Sequence, residues 1–241
     1  MLLVLVMLFG ASLAALPQYI VPCKDGPKLV ECTIKNGNSA IPKLHPGDPK
    51  FKIPTLEPLS ITKLDVRDSS SRNVALNLTF TNLKIYGLKD AKLVGAIMNT
   101  KAKHVEWTLD IPTITVKSMY KAQGKFLVLP IRGEGPCEIV LDKPRIVFKI
   151  DYKTFTSKGM VFAQLTKTEL KYTAERVHFR LDKLFNGDKT LGDNVNLALN
   201  ENWKEFNRQM GPPIAEGINL VLRQVIANII KGVPYKDIIK P

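Results

Sequence analysis

The residues able to do covalent or metal chemistry are few and scattered. Three cysteines and three histidines stand in 241 residues. His45, His104 and His178 share no spacing, with each other or with a cysteine, that would gather four ligands around zinc. The chain has no Gly-x-Ser-x-Gly elbow, His-Glu-x-x-His helix or Walker loop. Gly133-Glu134-Gly135-Pro136 has the first two glycines of a dinucleotide fingerprint, but it lacks the third and carries a proline. It reads as a turn between strands. Asp188, Asp193 and Glu201 lie near a helix start, where capping and dipole complementarity account for carboxylates; Asp193 is the expected N-cap. No residue is left on which to hang a catalytic mechanism, and no cofactor or metal is implied. The expectation is a binding protein rather than an enzyme.

The cysteines take their meaning from the N-terminus. Leu2 to Phe9 is wholly apolar and uncharged, and Ser12-Leu13-Ala14 has the small-x-small form of a signal-peptidase site. Residues 1–15 read as a signal peptide, cut after Ala14 or Ala15. A membrane anchor is the alternative, but the run falls short of the roughly 20 residues that span a bilayer. No later stretch reads as long enough either. In an oxidising compartment Cys23 and Cys32 are expected to pair. Cys137 is then a buried free thiol or an intermolecular link. Asn77-Leu78-Thr79 is a glycosylation sequon at Asn77. The net charge of +13 is spread from Lys24 to Lys240 without a cluster, which argues against nucleic acid as a partner. Weak contact with anionic membranes stays open.

Three kinds of segment must position whatever this chain binds. Residues 16–60 are rich in proline and leave room for a short helix around 27–37. From residue 60 to about 182 the pattern has period two. Leu76, Leu78 and Phe80 alternate with polar residues, as do Val105, Trp107, Leu109 and Ile111. Ile146, Phe148, Ile150 and Tyr152 form a third set, and Val177, Phe179 and Leu181 a fourth. Such strands suit an antiparallel sheet buried on one face. Asn77 falls on the polar face.

The last fifth has helical spacing. Val195, Leu199, Trp203, Phe206, Met210, Ile214, Ile218, Leu222, Ile226 and Ile229 make one apolar stripe over 194–231, roughly 57 Å long at about 1.5 Å per residue. Gly211-Pro212-Pro213 predicts a kink in its middle. A curved sheet wrapped around this helix would leave an apolar space between the layers. A fully packed core is the alternative, and periodicity does not choose between them.

The block Leu184-Phe185-Asn186-Gly187-Asp188-Lys189-Thr190-Leu191-Gly192-Asp193-Asn194, followed by Leu199-Asn200-Glu201-Asn202-Trp203-Lys204-Glu205-Phe206, resembles the signature of the insect takeout and juvenile hormone-binding protein family. Further likenesses are Cys23 to Cys32, Pro54-Thr55-Leu56-Glu57-Pro58-Leu59, Tyr86-Gly87-Leu88, Gly124-Lys125-Phe126, the Gly-x-Gly turn in Ile131-Arg132-Gly133-Glu134-Gly135, and Val233-Pro234-Tyr235-Lys236-Asp237. They cover essentially the whole of residues 16–241, taken as one domain.

The resemblance implies an α+β fold: a long, kinked C-terminal helix wrapped by a strongly curved antiparallel β-sheet that encloses an apolar tunnel. It implies a secreted, monomeric carrier of a small lipophilic ligand, terpenoid, juvenile hormone-like or fatty-acid-like, in haemolymph or tissue fluid. Several members are tied to feeding, circadian or chemosensory physiology. Moth hormone carriers have a further disulfide that the single remaining Cys137 cannot make, which points to the takeout branch. The rival reading is a binding module for anionic lipid surfaces, like the bactericidal and lipid-transfer proteins of this fold. No family ligand motif maps residue by residue. From alternation and stripe phase, the expected tunnel lining is Leu78, Phe80, Trp107, Leu109, Phe148 and Phe179 on strands, with Leu199, Trp203, Phe206, Met210 and Ile214 on the helix.

Overall fold

The computed structural model describes residues 14–68, 74–126 and 129–241. The leader lies outside the described residues up to residue 13. In chain order the elements are β1 (Cys23–Lys24), α1 (Leu29–Leu44), β2 (Leu59–Asp68), β3 (Val74–Tyr86), β4 (Lys92–Asn99), β5 (His104–Asp110), β6 (Thr113–Phe126), β7 (Leu129–Asp142), β8 (Arg145–Ser157), β9 (Met160–Thr173), β10 (Arg176–Leu181), α2 (Lys189–Glu201), α3 (Trp203–Ile230), α4 (Tyr235–Ile238) and β11 (Ile239–Lys240).

The antiparallel strands make two sheets rather than one. Five run in the order β10-β7-β6-β3-β2 and four in the order β4-β5-β8-β9, while β1 pairs with β11 in parallel at the termini. The alternating sets point inward as the pattern requires: Leu76, Leu78, Phe80, Val105, Phe148, Ile150, Val177, Phe179 and Leu181 are buried. Asn77 is exposed on the outer face of β3.

Helix α3 packs against β9, β2 and β10, which are edge strands of the two sheets. Arg208, Pro212, Glu216, Leu220 and Gln224 form its one exposed line, at intervals of four. One 18-residue window of the 28-residue α3 reaches a mean hydropathy of 1.2, so by length and composition alone this helix could cross a membrane, contrary to the expectation from sequence. Its apolar sides instead face protein.

Free strand edges are covered by asparagine side chains. Asn196 and Asn200 of α2 each accept from a β10 amide and donate back to the carbonyl of the same residue, Leu181 and Phe179 respectively, at 2.7–2.9 Å. Asn38 of α1 does the same to Leu93 on β4, at 2.8 and 2.9 Å. Each side-chain amide thus imitates a neighbouring strand and satisfies an edge that would otherwise invite pairing.

Several expectations are corrected. Helix α1 runs to Leu44 through Pro42, well beyond residue 37. The helical stretch breaks at Asn202 (φ −105°, ψ 29°), and Gly211-Pro212-Pro213 lie inside α3. Both the backbone N–H and the side-chain amide of Asn202 donate to the Ala198 carbonyl, at 3.0 and 2.9 Å, and cap the end of α2. The N-cap of α2 is Asp188, whose carboxylate accepts from Leu191 N at 3.0 Å, rather than Asp193. Gly133 and Gly135 are not in a turn; they are inward positions in the middle of β7. A Cβ at Gly133 would lie 2.8 Å from Leu184 Cα, and one at Gly135 would lie 2.6 Å from the Asp182 carbonyl. The missing side chains let the segment after β10 lie directly on the sheet.

Candidate functional site

Two apolar cavities lie between the helices and the sheets. The larger, about 430 Å³, sits on the inner face of the four-stranded sheet. Met98, Val105, Trp107, Leu109, Ile146, Phe148 and Ile150 form its floor, and Leu29, Thr33, Ala40, Ile41 and Leu44 of α1 form its roof. The C-terminal half of α3 contributes Leu222, Val225, Ile226 and Ile229, and the terminal segments close it with Leu16, Ile20, Tyr235 and Ile239. The Cys23–Cys32 disulfide ties the base of α1 to β1 beside this chamber.

Three hydroxyls in that wall are already engaged, while the buried Trp107 Nε1 has no hydrogen-bond partner. Thr33 Oγ1 donates to the Leu29 carbonyl at 2.8 Å. The Tyr152 and Tyr235 hydroxyls bond each other at 2.8 Å. Burial, and then the bond to Tyr235, raise the Tyr152 hydroxyl above the usual tyrosine range, so it stays protonated. The chamber's volume is in the range of small-molecule pockets (about 300–1,000 Å³), and its lining offers contact area rather than charge.

The smaller cavity, about 110 Å³, lies between the five-stranded sheet and the middle of α3. Its wall is apolar except for Tyr172 and Asn207, and the Tyr172 hydroxyl donates to Asn207 Oδ1 at 2.6 Å. Gly211 lies against that hydroxyl: a Cβ there would collide with it. The absence of a side chain therefore lets α3 approach β9 at this point. Leu88, Ile146 and Leu222 line both cavities and form the partition between them.

The expected lining residues divide between the two. Trp107, Leu109 and Phe148 line the larger chamber. Leu78, Phe80, Phe179, Phe206, Met210 and Ile214 line the smaller one. Leu199 and Trp203 line neither. Leu199 is wholly buried in the core, and Trp203 packs under the Arg176 guanidinium at 5.7 Å. Sequence reasoning missed the roof. Leu29, Thr33, Gly37, Ala40 and Leu44 keep helical spacing, a signal obscured by the prolines around them.

Among the described residues no group of three or more His, Cys, Asp or Glu could hold a metal ion. Cys137 is a buried free thiol, 5% exposed, and burial pushes its pKa up to about 12. It is neither nucleophilic at neutral pH nor accessible for an intermolecular link. Tyr120, next to it on β6, is spent on the Asp182 carbonyl at 2.8 Å.

The chain matches the family model described as Haemolymph juvenile hormone binding protein (JHBP) over residues 2–240. It is 23% identical over 213 residues to the circadian clock-controlled protein daywake of Drosophila melanogaster, covering 86% of this chain and 82% of that one. The Drosophila yakuba protein of the same name is 22% identical over 216 residues, covering 87% and 83%. Among solved structures, Takeout 1 of Epiphyas postvittana superposes with a TM-score of 0.82 at 26% identity, covering 91% of this chain and 99% of that one.

Proposed function

The chain belongs to the haemolymph juvenile hormone binding protein family, a family of carriers for lipophilic ligands, and from that premise we propose that it is a secreted carrier that holds one small lipophilic molecule in the larger chamber. The observation that carries this reading is a cavity of about 430 Å³ walled by apolar side chains from the four-stranded sheet, α1, the C-terminal half of α3 and the terminal segments. Burial is the binding mechanism. Apolar surface removed from water contributes about 25 cal/mol per Å², and no single polar group is needed.

The cargo is a terpenoid or fatty acyl molecule that fits a compact apolar space. The smaller cavity, about 110 Å³, is too small for such a molecule, and entry there requires displacement of the Leu88, Ile146 and Leu222 partition. Of the residues expected from sequence, Trp107, Leu109 and Phe148 contact the cargo directly. Leu78, Phe80, Phe179, Phe206, Met210 and Ile214 set how far a longer chain could extend. Leu199 and Trp203 support the wall. The apolar leader and the Cys23–Cys32 disulfide support secretion, and exposed Asn77 is open to a glycan. The protein acts without turnover and as a monomer.

Displacement of a fluorescent fatty acid from the purified protein tests this reading. Saturable, one-to-one uptake is expected, with competition by terpenoid esters and medium-chain fatty acids. Failure to take up any apolar probe would overturn it.

A further inference from the structure

Strands β8 and β9 close in a tight hairpin. Ser157 pairs with Met160, and Lys158 and Gly159 both have positive φ (48° and 75°), as a two-residue turn requires. Tyr152, Ala163 and Leu165 are its last residues on the larger chamber. Beyond them the hairpin leaves the core. Phe155 and Val161 are each 45% exposed, on opposite faces of the tip. Phe155 stacks on its cross-strand partner Phe162 with centroids 5.8 Å apart, and so presents a stiff aromatic pair rather than a loose side chain.

The charge around this tip has one dominant sign. From Tyr152 to Thr168 there is no aspartate or glutamate, while Lys153, Lys158 and Lys167 are present. Lys103 lies 4.9 Å from the Tyr235 ring centroid, at the rim of the chamber, and Lys236 is exposed beside it. No ion pair engages any of these five lysines among the described residues. Farther down the same two strands the opposite holds: Lys149 contacts Glu106 at 3.0 Å and Lys171 contacts Glu169 at 2.8 Å. Nearby acids are Asp151, bonded to His104 and opposite Lys167 in register, Glu169, which Lys167 also attracts, Asp25, bonded to Thr100, and exposed Asp237.

We propose that the β8–β9 tip, with Lys153 and Lys158 on it and Lys103 and Lys236 at the chamber rim, docks on an anionic lipid bilayer. Phe155 and Val161 enter the interface while the lysines meet lipid phosphates and carboxylates. Apolar side chains inserted among unpaired cations are the chemistry that such an interface recognises. The position at the rim of the larger chamber lets cargo pass between membrane and protein without crossing water. That last step rests on the carrier reading; the docking does not.

The test is flotation of the full secreted chain with phosphatidylcholine vesicles, with or without 30% phosphatidylserine, at low and high salt. Binding is expected only with phosphatidylserine, and it weakens as salt rises. Phe155→Ser with Val161→Thr should reduce it at least tenfold, and so should Lys153→Glu with Lys158→Glu. Both pairs are exposed, so thermal unfolding and fatty-acid uptake in solution should stay unchanged. Absence of vesicle binding, equal binding to neutral vesicles, or indifference to both double variants would overturn the proposal. So would a dimer that these variants dissolve, because the tip would then belong to a second copy. Vesicle binding without probe uptake would leave docking standing and remove the carrier reading; probe uptake without vesicle binding would do the reverse.

Discussion

The two sheets support cores of different completeness. Against the five-stranded sheet, Leu59, Val66, Leu76, Leu83, Ile85, Leu199 and Met210 are at most 1% exposed, and the gap they leave is about 110 Å³. Against the four-stranded sheet the buried set is short: Val105, Phe148, Ile150 and Leu170 with Ala215 of α3, and Leu93 apart from them on β4. Met98, Trp107, Tyr152 and Leu165 are only partly buried there, around about 430 Å³. Protein interiors normally fill such space. One end of the molecule supplies stability, and the other leaves contacts unmade that a ligand can make.

Core truncations should expose this difference most strongly. Leu199→Ala is expected to cost about 2–5 kcal/mol, because the packed wall cannot collapse into the gap. Leu165→Ala, which borders existing space, should cost less than half as much, because its side chain has fewer neighbours to lose. Urea unfolding of the two variants measures both; equal losses would break the comparison. Next comes the roof of the loose end. Replacing Cys23 and Cys32 with serine frees a short loop, worth about 2–3 kcal/mol by the chain-entropy model. It should also weaken probe binding, since α1 then covers the chamber less firmly.

Filling each space in turn sharpens the contrast. Ala163→Trp places an indole in the larger chamber and should lower probe affinity at least tenfold in a displacement titration. Val116→Phe, in the smaller one, should leave affinity within about twofold while lowering stability by about 1–3 kcal/mol through overpacking.

The smallest effect is one of pH. Burial raises the Tyr172 hydroxyl to about 12, from 10 in the unfolded chain. Its contribution is whole below pH 10 and disappears as pH rises through 12. Tyr172→Phe should therefore flatten the alkaline limb of stability against pH.

The strand alternation around Leu78, Trp107, Phe148 and Phe179 was legible because burial on one face imposes period two whatever the neighbours. The stripe from Leu199 to Ile229 was legible for the same reason at helical period. What stayed hidden depends on distant chain segments. Gly133 and Gly135 look like a turn until Asp182 and Leu184 are found lying across them. Asn38, Asn196 and Asn200 look like surface polar residues until the edges of β4 and β10 arrive beside them. The roof was obscured by Pro42, which α1 absorbs near its last turn. Leu199 and Trp203 share the stripe of Phe206 and Met210, but the break at Asn202 sets α2 and the start of α3 beyond the cavities.

The chain's two tryptophans are placed to test where cargo lies: Trp107 lines the larger chamber, and Trp203 lines neither. A brominated fatty acid quenches an indole only near contact. At saturating ligand, Trp203→Phe, which keeps Trp107 alone, should lose most of its fluorescence. Trp107→Phe, which keeps Trp203 alone, should lose little. Quenching confined to Trp203 would contradict the assignment of the cargo to the larger chamber.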